Sequence, residues 1–101
     1  MPEMTFTVRW PDGSVEDCYS PSLVMHDHLA DGETYTVEDF VRRTVAGLAE
    51  ASERVRARFG FACSASAASA EKVRLTAALF AADQPVRVLR LHPPLPSEES
   101  A

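Results

Sequence analysis

Residues Met4 to Trp10 alternate strictly, with Met4, Phe6, Val8 and Trp10 on one face and Thr5, Thr7 and Arg9 on the other. A period of two with one apolar face marks a half-buried β-strand. The strand runs directly into Pro11-Asp12-Gly13. There proline presets φ at the first turn position, and glycine takes the positive φ that other residues resist. The simplest continuation is an antiparallel partner, so a β-hairpin is predicted through Val15-Glu16-Asp17-Cys18-Tyr19-Ser20.

Two turns compete for that hairpin, and they place Cys18 differently. A two-residue Asp12-Gly13 loop sets Arg9 opposite Glu16 and Phe6 opposite Tyr19, which turns Cys18 to solvent beside Thr7. A type I turn at Pro11-Asp12, with Gly13 as the bulge residue, sets Val8 opposite Glu16 and Phe6 opposite Cys18, burying the thiol. The second is favoured because the first needs an N–H at position 11, which proline lacks. The pairing of Val8 with Glu16 counts against it.

After the hairpin, Ser20 with Pro21 is positioned to cap a short helical turn through Leu23, Val24 and Met25, with an extended segment as the alternative. Asp31-Gly32-Glu33 reads as a loop. Thr36-Val37-Glu38-Asp39 resembles a capping box with Asp39 in place of the usual Glu, so a long helix is predicted from Val37 to a stop at Gly60. Val37, Phe40, Val41, Val45, Leu48, Val55 and Phe59 form its apolar stripe. Glu38/Arg42, Asp39/Arg43 and Glu50/Arg54 are its expected (i, i+4) ion pairs. An Ala-rich second helix is predicted from about Ser66 to Ala82, burying Val73, Ala77 and Phe80, or else Leu75 and Leu79. Asp83-Gln84-Pro85 breaks it, and Val86 to Leu91 reads as a final strand that most simply joins the hairpin. The expected fold is α+β: an N-terminal β-hairpin and a C-terminal strand form a small, mainly antiparallel sheet packed by two α-helices. One domain spans residues 1–92, and the Pro/Ser/Glu-rich segment 93–101 is expected to be a disordered tail.

The charge balance limits what the chain binds. A net charge of −5 argues against a nucleic-acid partner, since backbone recognition needs a basic footprint. From Asp12 to Asp39 there are eight acidic residues and no Lys or Arg, whereas six arginines and Lys72 lie between Arg42 and Arg74. Such polarity suits orienting a partner or pairing two copies, although charge runs are commonly just solvated faces. No apolar run approaches the roughly 20 residues of a membrane-spanning helix, so no membrane association is expected. Met1-Pro2-Glu3-Met4 has neither the basic region nor the apolar core of a secretory signal, which makes the cytoplasm the expected location and Cys18 and Cys63 expected free thiols.

Several stretches together resemble one family. Arg9-Trp10-Pro11-Asp12-Gly13, Cys18-Tyr19-Ser20-Pro21-Ser22, Gly32-Glu33-Thr34-Tyr35 and Arg54-Val55-Arg56-Ala57 with Gly60-Phe61-Ala62-Cys63-Ser64 are similar to the small bacterial nitrogen-starvation response proteins, over about residues 1 to 90. The resemblance implies induction under nitrogen limitation and a neighbourhood of biosynthetic genes for nitrilase-like, acetyltransferase-like and radical-type enzymes. It supplies no catalytic residue to carry over, and His26-Asp27-His28 departs from the family pattern.

Three functional readings follow. The first is a non-catalytic accessory or interaction protein, expected as a homodimer, that binds a pathway enzyme or small metabolite without a cofactor. Its candidate binding residues lie along the hairpin: Arg9, Trp10, Asp12, Glu16, Cys18, Tyr19 and Ser20. The second is a thiol-dependent enzyme or carrier using Cys63, which precedes the second helix and so falls near unpaired N–H groups that stabilise a thiolate. Its bland counterpart is a small buried residue. The third is a metal-binding protein, using Cys18 with Cys63 or using His26 and His28, whose spacing of two lets both rings reach one ion only in extended chain.

Overall fold

The computed structural model describes residues 3–60 and 64–93. Strand β1 (Met4–Arg9) is followed by β2 (Val15–Ser20), a 3₁₀ helix (Leu23–Asp27), β3 (Thr34–Thr36), α1 (Val37–Phe59), α2 (Ser64–Ala77) and β4 (Pro85–His92). The four strands form one antiparallel sheet in the order β2-β1-β4-β3, so the C-terminal strand lies at its centre beside the hairpin. The fold is the α+β arrangement expected, with β3 as an addition. That three-residue strand follows the predicted loop and pairs with the start of β4. At three residues it is too short to show a period in the sequence.

The hairpin adopts the bulge-type turn. The Trp10 carbonyl accepts from the Gly13 N–H at 2.9 Å and the Trp10 N–H donates to the Ser14 carbonyl at 2.8 Å, with Gly13 at φ +90°. Asp12 braces the loop, accepting from the Ser14 N–H and hydroxyl at 3.0 and 2.7 Å. The resulting register pairs Phe6 with Cys18 and Val8 with Glu16, as the missing proline N–H requires.

Both helices cover the sheet face that carries Met4, Phe6, Val8, Trp10, Val86 and Val88, all buried. Thr36 caps α1 by accepting from the Asp39 N–H at 3.1 Å, and Gly60 closes it at φ +84°. Its first N–H groups also find partners outside the helix: Val37 donates to the Gln84 carbonyl and Glu38 to that of Ala82. The loop before β4 thus serves as a second N-terminal cap, satisfying donors that every helix leaves open.

Several expectations need correction. Phe59 ends the predicted apolar stripe but is 53% exposed. Arg42 pairs with Asp39 rather than Glu38, while Asp39–Arg43 and Glu50–Arg54 form as expected. α2 ends at Ala77 and gives way to turns. It buries Val73 and Ala77 and packs Phe80, leaving Leu75 and Leu79 exposed. The 3₁₀ helix is capped by Ser22, whose hydroxyl accepts from the Val24 N–H, not by Ser20. The expected tail lies outside the described residues from position 94 onward.

The 3₁₀ helix docks on α1 at Gly47. A Cβ there would run into the Met25 sulfur and lie 3.1 Å from the His28 ring. Met25 is fully buried and has little room to retreat. Gly47→Ala is therefore expected to lower stability by about 1 kcal/mol, the overpacking cost exceeding the helix-propensity gain. Urea denaturation measures it, and a stabilised variant would show that Met25 moves freely.

Candidate functional site

The register divides the hairpin residues between two faces. Trp10, Glu16, Cys18 and Ser20 turn toward the helices, whereas Arg9 and Tyr19 stand on the opposite face and Asp12 sits exposed in the turn. The sequence-based set therefore divides between the core and the surface.

The inward group is a structural anchor. Trp10 is 2% exposed, stacks on Phe80 at 5.8 Å between ring centroids, and meets Phe40 edge-on at 5.5 Å. Its indole N–H donates to Glu16 Oε1 at 2.8 Å, and Lys72 Nζ of α2 lies 3.3 Å from Glu16 Oε2. The carboxylate that seemed misplaced opposite Val8 is thus held at the sheet edge by an indole and an ammonium. Ser20 is fully buried and donates to the Ser22 carbonyl at 2.8 Å.

Cys18 is buried in the same layer, and loss of solvation, with the Glu16 charge adding to it, pushes its thiol up to about 12. A thiol held protonated in this way is a poor nucleophile. It is expected to resist alkylation in the folded protein at pH 8 and to react only on unfolding, as iodoacetamide labelling with mass spectrometry will show. The sign for stability follows: the folded state holds this proton more tightly than the unfolded chain. Its contribution is therefore complete below about pH 9 and is lost as pH rises toward 12. Cys63 lies outside the described residues.

Both histidines have structural partners. His26 Nε2 is 2.9 Å from the Pro93 carbonyl, which makes that nitrogen the donor. His28 Nε2 is 2.9 Å from Glu50 Oε1 and ties the 3₁₀ helix to α1. That bond, reinforced by Arg54, holds the Glu50 carboxyl below its usual range. Among the described residues no group of three or more His, Cys, Asp or Glu is placed to hold a metal ion.

The outward group belongs to a larger surface. Arg9 of β1 is directly opposite Arg87 of β4, and Arg90 of β4 is opposite Thr7. All three arginines are exposed, and among the described residues none takes part in an ion pair. Arg90 lies two residues along from the Arg9 row, about 7 Å away. Exposed Val15, opposite Arg9 on the other side, adds an apolar edge. On this face Asp17 accepts the Thr7 hydroxyl at 2.6 Å.

A β-bulge creates the cluster. Strict alternation in Val86-Arg87-Val88-Leu89-Arg90-Leu91 would send Arg90 inward with Val86 and Val88. The register shifts between Thr7 and Val8, Leu89 becomes the extra residue, and Arg90 joins Arg87 on the open face while Leu91 turns into the core. Arg87 and Arg90 were absent from the hairpin set because their placement needs both the sheet order and this bulge. No described helix is long and apolar enough to cross a membrane.

No curated protein and no solved structure matches the chain significantly. A family model does match, that of the nitrogen starvation-induced protein NitG, over residues 5–91. That span takes in both helices, all four strands but for the end residues Met4 and His92, the anchored tryptophan and the arginine face, and the chain belongs to the nitrogen starvation-induced protein NitG family.

Proposed function

We propose that this member of the family is a non-catalytic accessory protein of the nitrogen-starvation response that binds an acidic partner protein on the open face of its sheet. The observation that carries the reading is the set of three arginines, Arg9, Arg87 and Arg90, exposed and without ion pairs among the described residues of a chain whose net charge is −5. Arg9 and Arg87 are like charges set directly opposite each other, an arrangement that costs the fold stability. Arginine forks suit carboxylates, and arginine is enriched where protein surfaces meet. The same charges disfavour stacking two copies face to face through the arginines, so the expected homodimer would use another surface. The partner fits the gene context implied by the family resemblance as an enzyme of that pathway with an acidic docking patch. Affinity capture from nitrogen-starved cells, with wild-type protein beside a triple arginine-to-serine variant, tests the reading.

A further inference from the structure

A groove of about 360 Å³ runs between the two helices, on the other side of the protein from the arginine face. One wall is Val45, Leu48, Ala49 and Ser52 of α1. The other is Ser66, Ala67 and Ala70 of α2, with Glu71 and Arg74 at its lip. Only residues 60–63 join the helices, so they pack antiparallel, with the Ser52 and Ser66 end opposite the Arg74 end.

Two independent features mark the groove as a site rather than a seam. Ser66 is 2% exposed, and its Oγ is buried with no hydrogen-bond partner among the described residues. Buried hydroxyls are nearly always bonded, so an unpaired one in a residue that lines a groove leaves a bond that a ligand group can supply once the serine hydroxyl turns toward it. At the other end Arg74 Nη1 and Glu71 Oε1 stand 3.8 Å apart, too long for a hydrogen bond between them. They present a cation and an anion side by side.

We propose that the groove binds a free α-amino acid whose side chain ends in a hydrogen-bonding group. The ligand's carboxylate faces Arg74 and its ammonium faces Glu71, matching two adjacent charges of opposite sign. Its side chain lies along Leu48, Ala49 and Ala70, and its polar end reaches Ser66. Glu71 lies five positions along the helix from Ser66, an axial rise of about 7.5 Å, which suits a side chain of three or four atoms plus one hydrogen bond. The volume falls within the range of small-molecule sites.

The test is a ¹H–¹⁵N NMR titration of the whole chain with L-glutamine, L-norvaline and glutaramate, the last lacking the ammonium group. L-Glutamine is expected to give saturable shifts along the groove with Kd about 1 mM or tighter. Norvaline and glutaramate bind roughly tenfold more weakly, each missing one charge-assisted or buried bond. Arg74→Gln and Glu71→Gln change exposed side chains, so their spectra stay dispersed while glutamine affinity falls roughly tenfold. Ser66→Ala abolishes the preference for glutamine over norvaline and does not lower stability, since it removes an unpaired hydroxyl. Changes at Arg9 and Arg87 leave the titration unaltered, which separates this site from the sheet face. Absence of saturable shifts overturns the proposal, as does glutamine affinity unchanged in Arg74→Gln.

Discussion

Trp10→Ala is expected to cost about 3–5 kcal/mol, a large share of the roughly 5–15 kcal/mol that holds a domain of this size together. The loss combines a cavity between β1, α1 and the turns after α2 with the removal of stacking on Phe80 and the edge contact with Phe40. It also frees Glu16, whose Oε1 loses the indole N–H while its Oε2, buried without a hydrogen bond, keeps only the Lys72 charge. Trp10→Phe should lose less, about 1–3 kcal/mol, because a ring still fills part of the space while the carboxylate loses its donor. Urea denaturation followed by circular dichroism measures both. A loss below about 1 kcal/mol for alanine would show that the tryptophan does not anchor the hairpin.

The second large effect concerns the arginine face. Replacing Arg9, Arg87 and Arg90 together with serine should lower affinity for the acidic partner by at least about 100-fold, since each desolvated arginine–carboxylate pair contributes on the order of 1–3 kcal/mol. The same substitutions should leave the melting temperature unchanged or raise it, because they remove the repulsion between Arg9 and Arg87 and break no ion pair among the described residues. Binding and stability moving in opposite directions distinguishes an interaction surface from a structural one. The contribution of the arginines should also weaken with salt, as expected for exposed charges.

How much of this was legible in the sequence depends on how local the signal is. Pro11 lacks an N–H, and that single covalent fact selected the hairpin register and so the burial of Cys18. Thr36 and Gly60 bounded α1 because caps act within a few residues. What escaped the sequence is non-local. Thr34, Tyr35 and Thr36 all favour strands, but three residues are too few to show a period, and β3 forms because the start of β4 offers it partners. Phe59 continues the helical stripe, yet at the last position of α1 it stays exposed. Arg90 faces outward only because a bulge opposite Thr7 and Val8 breaks the alternation of β4. For the same reason the hairpin set named one arginine of three, and it merged core residues with surface ones. The pairing of Val8 with Glu16 is tolerated because Lys72, distant in sequence, lies beside the carboxylate.

The most direct test of the proposed interaction surface is quantitative capture from nitrogen-starved cells, using equal amounts of wild-type protein and the Arg9→Ser/Arg87→Ser/Arg90→Ser variant, with thermal melts of both. The predicted result is an acidic protein retained by the wild type and lost with a variant that melts at the same temperature or higher. The same protein retained equally by both would contradict it.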